Sequence, residues 1–339
     1  MTAFASGVMA YHAYPREPAP ADPPVLWAEG TTRLLDYGIP GKDAPPLLIV
    51  PSLINRAGIL DLTERRSFCR WFANQGFRPL LVDWDAPGEA ERNFGLNDYI
   101  NGRLASALDV AANAAGRPVH LVGYCMGGNL ALALAARTPE KIRSLALLAT
   151  PWDFHADGGA KIRMLEAMLP GMERMLDAFG QLPVDAIQSF FTSLDPYLTA
   201  TKFARFAAHS AKTEAADLFV ALEDWLNDGV PLTANVAREC LKNWYVENAP
   251  QRGGWLLAGT PVIPEEIAIP TLLAIPERDH IVPPASALAL LDALPEAEAL
   301  TVPAGHIGMI AGSRAESGLY KPLGRWLNHM DSNPDQAVS

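Results

Sequence analysis

At 339 residues, 49% of them hydrophobic and 19% charged, the chain is long enough for one large α/β domain with an inserted cap. A formal net charge of -11 without any basic cluster excludes nucleic acid as a partner, because the phosphate backbone would be repelled. Mean hydropathy is +0.06, and no uncharged apolar run approaches the roughly 20 residues of a membrane span, so none is expected.

Met1 to Met9 is mildly apolar but lacks a basic flank, and a Pro/Ala-rich stretch follows, so no cleaved secretory signal is expected. Residues 1–24 read as a loose N-terminal arm of a cytoplasmic protein. Val25 to Ala28 and Thr31 to Tyr37 form a predicted hairpin around Glu29-Gly30, and Pro46 to Pro51 is an apolar strand ending in a loop. Helical spacing over Arg65 to Gln75, a strand over Arg78 to Trp84 and a long helix over Asn97 to Ala115, closed by Gly116, continue the chain. Strand Pro118 to Tyr124, helix Met126 to Arg137 and strand Ile142 to Ala149 extend a βα alternation that implies a mostly parallel sheet with helices on both faces. The rhythm then turns helical and aromatic, with Phe154, Phe179, Phe190, Phe191, Tyr197, Phe203, Phe206, Phe219, Trp225, Trp244 and Tyr245, all expected in a cap core. The strand pattern resumes at Thr271 to Ile275, followed by helix Pro284 to Leu294, strand Ala299 to Val302 and a last helix from about Tyr320 to Met330. The division expected is a core of 25–150 and 255–332, a cap insertion over 151–254 and a loose tail over 333–339.

The chemistry concentrates at Gly123-Tyr124-Cys125-Met126-Gly127-Gly128, placed between a strand and a helix. A strand feeding a helix through G-x-nucleophile-x-G is the nucleophile elbow of the α/β-hydrolase fold, in which a Cβ at either flanking glycine would strike a neighbouring element. Here the nucleophile is cysteine, so the covalent intermediate is a thioester. The three cysteines, Cys69, Cys125 and Cys240, are far apart with no C-x-x-C pair, against both a disulfide framework and a zinc site; no metal or cofactor is expected. In this fold the acid and histidine follow the nucleophile on loops after late strands. Asp279 and His306 stand there. His306 takes the Cys125 proton and Asp279 orients the imidazole, while the backbone N–H groups of Met126 and Ile54 are the expected oxyanion donors. Asp153 is a rival acid, after the strand ending at Ala149. His280, Asp83, Asp85 and His120 read as loop or core residues, and Cys69 and Cys240 as packing residues.

On these residues the chain resembles the poly(3-hydroxyalkanoate) synthases, most closely the short catalytic subunit of the two-subunit, class III type. The likeness runs through Leu53-Ile54-Asn55-Arg56, Val82-Asp83-Trp84, the cysteine motif, Asp153-Phe154, Glu223-Asp224-Trp225, Asp279-His280-Ile281-Val282-Pro283 and Gly305-His306-Ile307-Gly308. The resemblance implies a 3-hydroxyacyl-CoA substrate with its CoA thioester, a growing polyester product, a homodimer aided by a second synthase subunit, and a place on the polyester granule surface. Two alternatives stay open at this point. One is a thiol-dependent hydrolase (thioesterase, esterase or depolymerase) using the same triad; the other is a granule-associated binding paralogue with little activity.

Overall fold

The structure is a computed structural model that describes residues 2–16, 20–39, 43–156, 158–194, 198–208, 212–295 and 297–332, excluding the side chains of 160, 161, 191–194 and 198. The tail 333–339, Tyr197 and the Phe191 side chain therefore lie outside the described residues.

Eight strands build the main sheet: β1 (Val25–Glu29), β2 (Thr32–Asp36), β3 (Pro46–Val50), β4 (Arg78–Asp83), β5 (Val119–Tyr124), β6 (Ile142–Leu148), β7 (Thr271–Pro276) and β8 (Ala297–Val302). Their spatial order is β1-β2-β4-β3-β5-β6-β7-β8. β1 pairs with β2 and β2 with β4 antiparallel, and all the other pairings in this sheet are parallel. Every residue of β3, β5 and β7 is buried, as expected for central parallel strands covered on both faces, where an apolar run replaces alternation.

The helices that cover the sheet are α2 (Phe68–Asn74), α3 (Ala105–Ala115), α4 (Met126–Ala135), α10 (Pro284–Ala293), α11 (Gly308–Ala311) and α12 (Lys321–Ser332); α1 and α5–α9 are placed below. The helix expected over 65–75 begins later, because Asp61–Thr63 pairs with Arg66–Ser67 and Ser67 Oγ then caps α2 by accepting the Arg70 N–H at 2.9 Å. The helix before β5 opens with a π-helical stretch, Asp98–Leu104, and ends at Gly116 with φ 65.

Between β6 and β7 the chain runs through α5 (Ala160–Phe179), α6 (Val184–Leu194), α7 (Leu198–Ala208), α8 (Glu214–Asn227) and α9 (Ala234–Arg238). A two-residue ladder, Gln181–Leu182 with Leu232–Thr233, ties this helical layer together. Phe179, expected in a cap core, is instead 66% exposed, because it is the last residue of α5 before the chain turns at Gly180.

The N-terminal segment departs from its expectation as a loose arm. Ala3–Ala13 is a helix, α1, capped by the Thr2 hydroxyl. It docks on α7 so closely that a Cβ on Gly7 would lie 1.9 Å from the Phe203 carbonyl oxygen. Tyr11 and Tyr14 are buried against Phe203, Phe206, Ala216 and Val220, and donate to Asp224 at 2.5 Å and Asp217 at 2.6 Å. Those tertiary contacts, not local helix preference, order the segment.

Candidate active site

The turn from β5 into α4 places Cys125 at φ 56, ψ -129, a backbone region that L residues enter only when the surroundings impose it. Its N–H donates to Leu148 O at 2.8 Å, and its carbonyl accepts from the Gly128 N–H at 2.9 Å. The flanking glycines are required by contact. A Cβ on Gly123 would lie 2.5 Å from the Gly128 Cα, and one on Gly127 would lie 2.1 Å from Val50 O. Gly128 is equally constrained, with Thr150 Oγ1 only 1.8 Å from its would-be Cβ.

Asp279 follows β7 and His306 follows β8. His306 Nδ1 hydrogen-bonds Asp279 Oδ2 at 2.7 Å, and Asp279 Oδ1 accepts the N–H groups of Ile281 and Val282, both at 2.8 Å. Two backbone N–H groups thus hold the carboxylate in place against the imidazole. The two loops are stitched to each other, since the Glu277 and Arg278 N–H groups donate to Val302 O and Ala304 O, each at 3.0 Å. Tyr124 braces the histidine by donating its hydroxyl to His306 O at 3.1 Å. With Nδ1 committed, the other ring nitrogen remains for Cys125, which lines the same cavity. Burial alone would lower the His306 value; the charge and hydrogen bond of Cys125 and the hydrogen bond of Asp279 outweigh it and raise it to about 10. His306 therefore holds its proton beside Cys125 through neutral pH.

A cavity of about 340 Å³ opens onto Cys125 and His306. Its floor is the loop after β3 together with Ile281 and Ile307, and its roof is α6, α7 and α8, including Ile187, Phe203 and Trp225. Trp225 Nε1 donates to Arg56 O at 2.8 Å, and Arg56 pairs with Asp85 at 2.5 Å and Asp228 at 2.9 Å, so α8 is fastened to that loop.

Residues 45–313 match the family model described as alpha/beta hydrolase fold. The chain is 32% identical to the Allochromatium vinosum poly(3-hydroxyalkanoate) polymerase subunit PhaC, over 86% of this chain and 82% of that protein. The chain belongs to the poly(3-hydroxyalkanoate) polymerase family. It is also 30% identical to the PhaC polymerase subunit of Haloferax mediterranei, over 89% of this chain but only 63% of that longer protein. Among solved structures, BpoC of Mycobacterium tuberculosis superposes with a TM-score of 0.53 at 19% identity, covering 88% of this chain and 96% of that one, a likeness of fold.

Within this polymerase-family chain, the structure brings Cys125, Asp279 and His306 together. Met126 opens α4, where a first-turn N–H has no intrahelical acceptor and faces the elbow. Ile54 lines the cavity, but its N–H donates to Ser52 Oγ at 2.9 Å, so the expected second oxyanion donor is already engaged by a local serine turn. Asp153, the rival acid, accepts from the His155 N–H and Asn248 Nδ2, each at 2.8 Å, and serves as a strut below the helical layer. His280 is exposed. His120 is buried in β5 against Ser144 Oγ at 2.8 Å. Asp83 pairs with Arg33 at 2.6 Å and fixes its loop. Burial raises the thiols of Cys69 and Cys240, which suits packing residues. Among the described residues no three His, Cys, Asp or Glu side chains converge as a metal site, and no helix is long and apolar enough to cross a membrane. The cavity-lining residue that sequence reasoning missed is Lys202 in the roof, whose Nζ lies 2.7 Å from Oε1 of Glu223, a residue of the Glu223-Asp224-Trp225 motif.

Proposed function

We propose that the protein is an acyltransferase that polymerises 3-hydroxyacyl-CoA into polyester with release of CoA, through Cys125, His306 and Asp279. The observation that carries this reading is the thiol at the elbow opening onto the same cavity as a buried His306 that Asp279 holds at 2.7 Å. With His306 already holding the Sγ proton, Sγ attacks the thioester carbonyl; the bond to the CoA sulfur breaks, and the imidazolium gives the proton to the departing thiolate, releasing free CoA. The acyl group now sits on Cys125 as a thioester. His306 then takes the proton of the 3-hydroxyl of a second 3-hydroxyacyl-CoA, whose oxygen attacks the acyl carbon. The Cys125 C–S bond breaks and the thiol is re-formed, leaving a chain one unit longer on CoA, ready to reload Cys125. An ester replaces a thioester at each transfer, so chain growth runs downhill.

The Met126 N–H is the first oxyanion donor on this reading; a second one comes from the loop after β3, once Ile54 exchanges its Ser52 partner for the oxyanion. The relatives named polymerase subunits support a second subunit as partner and a CoA thioester as substrate. A homodimer, a granule-surface location and the domain limits 25–150 with 255–332 for the core and 151–254 for the cap belong to the same proposal.

The test is incubation of the protein and its Cys125→Ala variant with 3-hydroxybutyryl-CoA, following free thiol and the fate of the acyl group. Cys125-dependent polymer supports the synthase. Free acid alone makes the protein a thioesterase, and no CoA release refutes both.

A further inference from the structure

Among the polar side chains of the cavity roof, Gln188, Thr199, Lys202, Glu223 and Asn227, one charged pair is left unused by the proposed relay. Lys202 on α7 and Glu223 on α8 both line the cavity that holds Cys125 and His306, and their Nζ and Oε1 lie 2.7 Å apart. The apolar part of the wall around them is Ile59, Ile187, Phe203, Trp225, Leu226 and Ile281. Glu223 is 6% exposed, and burial raises its carboxyl, partly offset by Lys202. Lys202 keeps 25% of its side chain open, with Nζ 5.7 Å from the Phe203 ring centre.

A charged pair placed in an apolar wall is a cost unless its remaining hydrogen-bonding capacity is used. The ammonium carries three protons and the carboxylate two oxygens, so the pair can offer a donor and an acceptor side by side while remaining neutral overall. Neutrality speaks against a phosphate or carboxylate ligand. The matching chemistry is an uncharged group with a hydroxyl or a carbonyl: a hydroxyl can donate to Glu223, and a carbonyl or hydroxyl oxygen can accept from Lys202.

Resting on the acyltransferase reading, we propose that the Lys202–Glu223 pair is the specificity subsite that selects oxygenated acyl chains, those with a hydroxyl or ester beyond the thioester carbonyl, over plain alkyl chains. An alkyl chain desolvates the pair and returns no hydrogen bond, whereas a 3-hydroxyacyl group restores one. Discrimination of that origin is on the order of ten- to a hundredfold.

The experiment measures single-turnover CoA release from 3-hydroxybutyryl-CoA and from butyryl-CoA. Wild-type protein is expected to prefer the hydroxylated thioester at least tenfold in acylation rate, in line with that range. Lys202→Met combined with Glu223→Leu removes both charges at once, leaving no orphan ion, and is expected to bring the ratio to within about twofold with butyryl loading retained. Lys202→Arg is expected to restore most of the preference, which a merely structural brace between α7 and α8 would not require. Should the double variant fail to fold, Glu223→Gln, which keeps the shape, is expected to narrow the ratio severalfold. A ratio unchanged in a folded variant overturns the inference and leaves the acyltransferase reading standing. Absence of Cys125-dependent CoA release from both thioesters in wild-type protein overturns both.

Discussion

Gly127→Ala is a one-carbon perturbation whose outcome the geometry fixes. The added Cβ would stand 2.1 Å from Val50 O and 2.6 Å from the Pro51 carbonyl carbon and oxygen. These are backbone atoms, so no side-chain rotation relieves the contact. Reaching the ordinary 3.4 Å requires the end of β3 and the first turn of α4 to separate by about 1.3 Å. That displacement moves the loop after β3, which lines the cavity, away from Cys125. Misplacement of about 1 Å at a reacting centre costs on the order of a hundredfold. The assay is the initial rate of thiol release from 3-hydroxybutyryl-CoA, with the unfolding midpoint recorded in parallel. Gly116→Ala is the control: its φ is +65 but nothing lies within 4 Å of the new Cβ, so it costs about 1 kcal/mol of stability and leaves the rate unchanged. A Gly127→Ala protein turning over at the wild-type rate would refute the claim that this contact sets the site.

Asp279→Asn keeps the shape but loses the charge that helps raise His306 to about 10, and turnover is expected to fall on the order of 10³- to 10⁴-fold. In wild-type protein the paired imidazolium, and the stability it contributes, is fully present below the ordinary 6.5 and lost as pH rises through about 10; the variant's alkaline limb is expected at lower pH in a pH–rate profile. Arg103→Met would leave Glu91, which is 0% exposed and 3.0 Å from the guanidinium, as an uncompensated buried carboxylate; urea titration is expected to show a loss of about 3–5 kcal/mol. Gly7→Val would drive a side chain into the Phe203 backbone and release α1, seen as rapid amide exchange over residues 3–13 while the sheet stays protected.

The alternation of buried strand and helix was legible because β3, β5 and β7 are uninterrupted apolar runs, and because glycines at 123 and 127 have no other use than to let a strand and helix approach each other. Chain order alone located Asp279 and His306. What was not legible depends on contacts between distant segments. Nothing in the pattern of residues 3–13 announces a helix that is held by Phe203, about two hundred positions later. The Ser52 hydroxyl that occupies the Ile54 N–H is a local competition which composition does not reveal. Lys202 is an unremarkable charge in the sequence, and its pairing with Glu223 shows only once the fold turns both towards one cavity.

Strand β6 supplies no reacting group, yet the distance between nucleophile and base is measured through it. Leu148 O receives the Cys125 N–H at 2.8 Å, and the Ala149 N–H donates to Ala274 O of β7 at 2.9 Å, from where the stitched loops carry Asp279 and His306 as a single arm. The spacing between Cys125 and the Asp279–His306 arm is therefore gauged by the ladder of the central sheet. Changes in α5–α8 that keep the Trp225–Arg56 tether can reshape the cavity for other acyl chains while that spacing stays set by the sheet.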